Sequence, residues 1–176
     1  MRVYVARHGQ TQWNADKRIC GRTDLPLTEV GLAQAEALAE KAADRGIDVI
    51  IASPMIRAQQ TAAAVSKRIG ISVLTDDRLI EQDYGCYEGK DRLTQAFLDN
   101  KRQFAKRCPG GESALQLAYR VYSLLEDVKN QYAEQTVLLV CHGGIMRVIR
   151  SYFEDMSNEE YANYCADNAV LTAYEL

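Results

Sequence analysis

Two histidines occur in this chain of 176 residues, and both stand where an apolar run ends and a glycine follows: "VARHGQ" around His8 and "LLVCHGG" around His142. A single histidine at such a place is ordinarily a hydrogen-bonded structural residue, so the repeated setting is the stronger signal. Charge gathers at the ends of the other apolar runs as well. Arg7 directly precedes His8, Arg57 lies one helical turn beyond "IIAS", and Glu81 follows "ISVL". Two guanidinium groups beside two imidazoles and one carboxylate make a pocket with spare positive charge, and the guanidinium fork matches phosphoryl oxygens bidentately. Neighbouring cations disfavour the imidazolium form, which leaves His8 neutral and able to attack phosphorus through a ring nitrogen. The departing alkoxide then needs a proton, a task suited to a carboxyl group shielded from water, and Glu81 is the candidate. Arg7, Arg57 and a charged His142, with backbone N–H groups beside Gly143, would stabilise the phosphoryl oxygens as charge builds there. The scheme uses no metal and no cofactor.

This chemistry requires the run ends to converge. The runs at 2–6, 49–52, 71–74 and 136–141 are short and unalternating, the pattern of parallel strands covered on both faces. Between them, Thr28 caps a helix through "EVGLAQAEALAEKAADR" that stops at Gly46. Ser53 as N-cap, Pro54 at the first helical position and Gly70 bracket "MIRAQQTAAAVSKRI". Further helices are predicted from Ser113 to about Tyr132 and from Gly144 to Phe153. The alternation predicts an α/β fold, a three-layer α/β/α sandwich whose mostly parallel sheet carries an antiparallel edge strand near 169–175. Ligands of such sheets bind beyond the carboxyl ends of the strands, where His8, Arg57, Glu81 and His142 all fall. Residues 88–112 suspend the alternation and read as a cap-like helical insertion over the active site, helical around 93–106, within one domain spanning 1–176.

Composition narrows the function further. Hydrophobic residues make up 47% and charged residues 26%, as in a globular protein, and no apolar run approaches the roughly 20 residues of a membrane span. The first residues read as a strand rather than a secretory leader. Five widely spaced cysteines without a C-x-x-C pair point to a reducing cytoplasm. A net charge of −3 provides no general footprint for nucleic acid. The expected partner is a small phosphorylated metabolite, with no nucleic acid and no membrane; assembly into a homodimer is left open.

Six stretches, in order, resemble those of the histidine phosphatase superfamily, the phosphoglycerate mutase-like family. They are "RHGQTQWN", "GRTDLPLTEVGLAQA", "SPMIRAQQTA", "RLIEQDYGCYEG", "PGGES" and "LLVCHGGIMR". The resemblance implies that His8 is the phosphorylated nucleophile and Glu81 the proton donor, with Arg7, Arg57 and His142 completing the phosphate pocket. It further implies that Asn14, the backbone around Gly21, Tyr84 and Gly143 contact the phosphoryl group or the rest of the substrate. Mutases of the family carry a larger insertion with adjacent arginines that grip a substrate carboxylate. Here the insertion is modest, although Lys101, Arg102, Lys106 and Arg107 are present, and it looks more like that of the small phosphatases, including the α-ribazole phosphatase and broad-specificity groups. The expected activity is metal-independent phosphomonoester hydrolysis, with cofactor-dependent phosphoglycerate mutase as the alternative.

Three other readings stay open at this level. "CHGGIMR" has the C-x-x-G-x-x-R spacing of cysteine-dependent phosphatases, with Cys141 and Arg147 in the key places. Two histidines and a carboxylate could form a facial triad for a divalent metal, which the flanking guanidinium groups disfavour. A phosphate-binding module without chemistry would need the arginines but neither histidine. Asp76, Asp77, Asp83 and Glu88 compete with Glu81 as the acid.

Overall fold

The computed structural model describes residues 1–176. Five strands form one sheet, β1 (Arg2–Arg7), β2 (Val49–Ala52), β3 (Val73–Thr75), β4 (Thr136–Cys141) and β5 (Leu171–Glu175), in the order β3-β2-β4-β1-β5. All pairings are parallel except that of β5 with β1, which gives the antiparallel edge. Side chains of successive strand residues point to opposite faces, and both faces are covered. Val3, Val5, Val137, Leu139 and Cys141 pack with α5 (Ala114–Gln131) and α6 (Gly143–Phe153). Tyr4, Ala6, Leu138 and Val140 pack instead with α2 (Glu29–Ala43) and α3 (Ile56–Ile69). Burial on both faces explains why these runs lack polar alternation.

Register sets the site. In the central pair Arg7 lies opposite Cys141. The His8 amide then donates to the Cys141 carbonyl at 3.0 Å, so the ladder continues for one more residue and delivers His8 and His142 to the same edge at the same height.

The helices differ in detail from the sequence expectation. The α3 helix begins at Ile56 with Met55 as N-cap, not at Pro54. Asp24 from a distant loop accepts the Ile56 N–H at 2.8 Å, while the Ser53 hydroxyl is engaged elsewhere. Gly70 closes the helix in the left-handed conformation, φ 78°, as predicted. The α2 helix ends at Ala43, short of Gly46, and β3 starts two residues later than the apolar run. The α5 helix follows its prediction closely, with Ser113 and Gln116 forming a capping box. Its buried residues Leu117, Val121, Leu124, Leu125 and Val128 fall at helical spacing, each burial contributing about 1.5–3 kcal/mol.

Two short helices flank the site. Of the insertion only α4 (Gln95–Lys101) is helical, and its Phe97 packs with Ile19, Tyr84 and Cys108 in a small separate core. Ser157 caps α7 (Asn158–Asn163) in another capping box; at six residues this helix is too short to announce itself by periodicity. The chain also forms short α1 (Gln12–Ala15) and turns at Asp77–Leu79 and Gly85–Tyr87.

Candidate active site

His8 and His142 face each other with ring centroids 5.1 Å apart and planes inclined at 59°. Both are buried. His8 Nδ1 lies 2.6 Å from the Gly9 carbonyl oxygen, which can only accept; Nδ1 therefore carries the proton and Nε2 keeps its lone pair. Burial, then Arg57 and Arg7, hold the His8 imidazole well below the usual histidine range, so the ring is uncharged at neutral pH.

Arg57 has no exposed surface, and three of its nitrogens donate. Nε reaches His142 Nδ1 at 3.2 Å, Nη1 the Thr23 carbonyl at 2.9 Å and Nη2 the Gly21 carbonyl at 2.7 Å. A guanidinium cannot accept, so Nδ1 of His142 is the acceptor and its Nε2 carries the proton toward Ser53 Oγ at 2.8 Å. With burial first and Arg57, His8 and Arg7 after it, the pKa of His142 also falls well below the ordinary value. This corrects the charged His142 of the sequence analysis: the arginine that was to share a phosphate with it is its direct neighbour and disfavours a second cation.

Arg7 presents its guanidinium toward Gly143, where a Cβ would meet Nε at 3.6 Å. One Nη donates to the Ala166 carbonyl, whereas Nε is buried and has no partner. A buried cationic donor without an acceptor is costly, and an anion at this spot removes the cost.

Glu81 is buried beside the first turn of α6. Its Oε2 accepts the Gly144 N–H at 2.9 Å and Oε1 accepts the Gln82 N–H at 2.8 Å. Its main-chain carbonyl is fixed by Arg22 Nε at 3.0 Å and Arg120 Nη2 at 3.2 Å. Gly144 permits the approach, since a Cβ there would lie 2.4 Å from Glu81 Oε1 and 3.0 Å from the Tyr84 hydroxyl. Tyr84 thus stands at the flank of Glu81.

The remaining predicted residues are more distant from the imidazoles or have other partners. Asn14 caps α1 by accepting from Thr11 N and takes a second bond from Asn168 Nδ2 at 3.2 Å. Asn168 also donates to the His8 carbonyl, linking Asn14 to the backbone of His8. The Gly21 N–H points to Glu88 at 3.2 Å and its carbonyl to Arg57, so both main-chain groups of this residue build the pocket wall.

Glu88 has a part that sequence reasoning missed. Its carboxylate accepts from Gly21 N, Arg22 N, Thr23 N and Thr23 Oγ1. The loop folded around it supplies the two carbonyls that hold Arg57. "YEG" was visible as a motif, but only as a rival acid; nothing local in it shows that its partners lie far upstream. Asn168, Arg120 and Ser53 were likewise silent in the sequence. No three His, Cys, Asp or Glu side chains converge on a common metal position. Cys141 is fully buried, and burial pushes its thiol far up, away from the reactive thiolate.

Comparison with known proteins gives the family and the fold. The family model described as histidine phosphatase superfamily (branch 1) matches residues 3–176. "Probable phosphoglycerate mutase GpmB" of Yersinia pestis (strain Pestoides F) is 38% identical over 150 residues, covering 81% of this chain and 70% of that protein. Among solved structures, the mycobacterial glucosyl-3-phosphoglycerate phosphatase in complex with VO3 superposes with a TM-score of 0.89 at 28% identity, covering 98% of this chain and 90% of that one. "Mycobacterial hydrolase 1" gives 0.86 at 29% identity, covering 98% and 90%. A match running almost from end to end, on a sheet that sets two histidines of the H-G motifs against each other, leaves one conclusion: the chain belongs to branch 1 of the histidine phosphatase superfamily.

Proposed function

We propose that the protein is a metal-independent phosphomonoesterase acting on small phosphorylated metabolites through a phosphohistidine at His8. The observation that carries this reading is the pairing of an uncharged His8, its Nδ1–H held by Gly9 and its Nε2 free, with the unpartnered buried Nε of Arg7. One is a nucleophile and the other waits for an anion. In the first step Nε2 attacks phosphorus, the P–O ester bond breaks, and the alkoxide takes a proton from Glu81. In the second, Glu81 takes a proton from water as the oxygen attacks phosphorus; the P–N bond breaks and inorganic phosphate leaves. Arg57 and His142 act as a buried pair that shapes the wall, and the N-terminal turn of α6 adds N–H groups of the right polarity.

His8→Ala should abolish turnover of p-nitrophenyl phosphate, and wild-type enzyme quenched in alkali should carry one PO3 group on His8. A His8→Ala variant as fast as wild type refutes the nucleophile. Insensitivity to a chelator is the accompanying expectation.

The similarity to a protein named as a phosphoglycerate mutase favours a second reading. Incubation with 3-phosphoglycerate, with and without the bisphosphate primer, separates the two: release of inorganic phosphate supports the hydrolase, and interconversion of the 2- and 3-isomers supports the mutase. No helix is long and apolar enough to cross a membrane. The five free cysteines favour a reducing, cytoplasmic site of action.

A further inference from the structure

The stretch from Arg78 to Asp83 carries Glu81, and one ion pair outside the histidine pocket holds it along its length. Arg120, on α5, meets the Glu112 carboxylate with both prongs of its fork, Nε to Oε1 at 2.9 Å and Nη2 to Oε2 at 3.0 Å. The two side chains are only 16% and 14% exposed. The same guanidinium donates twice more, from Nη1 to the Arg78 carbonyl at 2.6 Å and from Nη2 to the Glu81 carbonyl at 3.2 Å. Glu112 holds the far side of the acid. Its N–H donates to the Asp83 carbonyl at 2.8 Å, and its carbonyl accepts from Gln82 Nε2 at 3.1 Å.

The "PGGES" turn that bears Glu112 is pressed against this loop. A Cβ on Gly111 would lie 2.3 Å from the Asp83 carbonyl oxygen, and one on Gly85 would lie 2.2 Å from that of Pro109, so the two backbones touch with no side chain between them. The Cys86 N–H extends the contact by donating to the Pro109 carbonyl at 2.9 Å. Glu112 fixes the plane of the guanidinium, and the guanidinium fixes the carbonyls of Arg78 and Glu81. The main chain of Glu81 is thereby tied to α5, while its carboxyl group is tied to Gly144 at the start of α6. These two helices pack in one core, which sets the distance between the two anchors. Arg22 Nε reaches the same Glu81 carbonyl at 3.0 Å, but from an exposed side chain.

We propose that Glu112 and Arg120 are positioning residues that act as one unit and set how far the Glu81 carboxyl group reaches toward the leaving-group oxygen. Both work through the backbone of Glu81. A group that hands over a proton tolerates little slack, since a misplacement of about 1 Å costs about 100-fold. The proposal rests on the phosphomonoesterase reading with Glu81 as the acid.

The ratio of kcat/KM for glycerol 3-phosphate to that for p-nitrophenyl phosphate isolates the acid, because only the alkoxide needs its proton. This ratio should fall about tenfold in Arg120→Gln and in Glu112→Gln, part of the loss that a 1 Å displacement causes. The double variant should fall no further than the worse single one, as expected of two residues with one task. Urea midpoints show which variants are folded; Arg120→Lys, which keeps the charge and loses the fork, takes the place of Arg120→Gln if that variant does not fold and should show the same fall. A lower midpoint with an unchanged ratio makes the pair a structural brace and overturns the proposal. Losses that add in the double variant overturn the single unit. Glu81→Gln separates this proposal from the reading beneath it. If Glu81→Gln lowers the ratio and neither Arg120→Gln nor Glu112→Gln does, the positioning role alone fails. If Glu81→Gln keeps the wild-type ratio, or the wild-type protein hydrolyses neither ester, the acid assignment fails and the positioning role falls with it.

Discussion

Gly144→Ala separates the proposed acid from the fold that holds it. A methyl group at this position would lie 2.4 Å from Glu81 Oε1, 3.2 Å from Glu81 Cδ and 3.0 Å from the Tyr84 hydroxyl. Ordinary contacts between such atoms are roughly 3.5 Å, so the carboxylate has to withdraw by about 1 Å. A displacement of that size costs about 100-fold when the group takes part in the reaction. Stability moves little by comparison. Alanine is the better helix former by about 1 kcal/mol, which offsets much of the about 0.5–1.5 kcal/mol held in the hydrogen bond from the Gly144 N–H to Glu81. The assay uses two leaving groups. An alkyl phosphate such as glycerol 3-phosphate needs its alkoxide protonated, whereas p-nitrophenolate departs without a proton, and kcat/KM for p-nitrophenyl phosphate reports phosphorylation of His8 alone. We expect kcat/KM to fall about 100-fold for the alkyl ester and only a few-fold for p-nitrophenyl phosphate, with a burst of p-nitrophenolate as dephosphorylation becomes slow. Equal losses on both esters, or wild-type rates on both, would refute Glu81 as the acid.

Other consequences follow from neighbouring contacts. Glu88→Gln removes the charge that gathers the Gly21–Thr23 loop, so kcat on any ester should drop about 10- to 100-fold through a misplaced Arg57; Glu88→Asp should recover part of it, and an unchanged kcat would mean that the loop holds itself. Both imidazoles are depressed below the unfolded value of 6.5, so as pH falls through about 6.5 the unfolded chain takes up protons first and stability declines. Urea midpoints should therefore decrease from about pH 7 to pH 5, above the carboxylate range, with a shallower slope in His8→Asn; a flat profile contradicts the buried neutral pair. Cys141→Ala should keep full phosphatase activity, because the thiol is inside the sheet, and its loss in a folded variant would restore the cysteine mechanism.

Much of this was legible in the letters of the chain. The unalternating runs could only be strands covered on both sides, and Gly70 and Ser113 marked helix ends through chemistry that acts within a few residues. Where Arg7, His8 and His142 follow those runs, the parallel arrangement alone brings them to one edge. Other features depend on residues far apart in sequence. The start of α3 is set by Asp24, 32 residues before it, and the task of Glu88 by partners 65–67 residues upstream. The uncharged state of His142 likewise follows from Arg57, 85 positions away, and from complete burial. The sequence by itself determined which residues reach the edge of the sheet, because strand and helix signals are local. Only the tertiary structure decided what each of them donates to, accepts from or repels, because hydrogen bonds and charges act over a few ångströms of space and not along the chain.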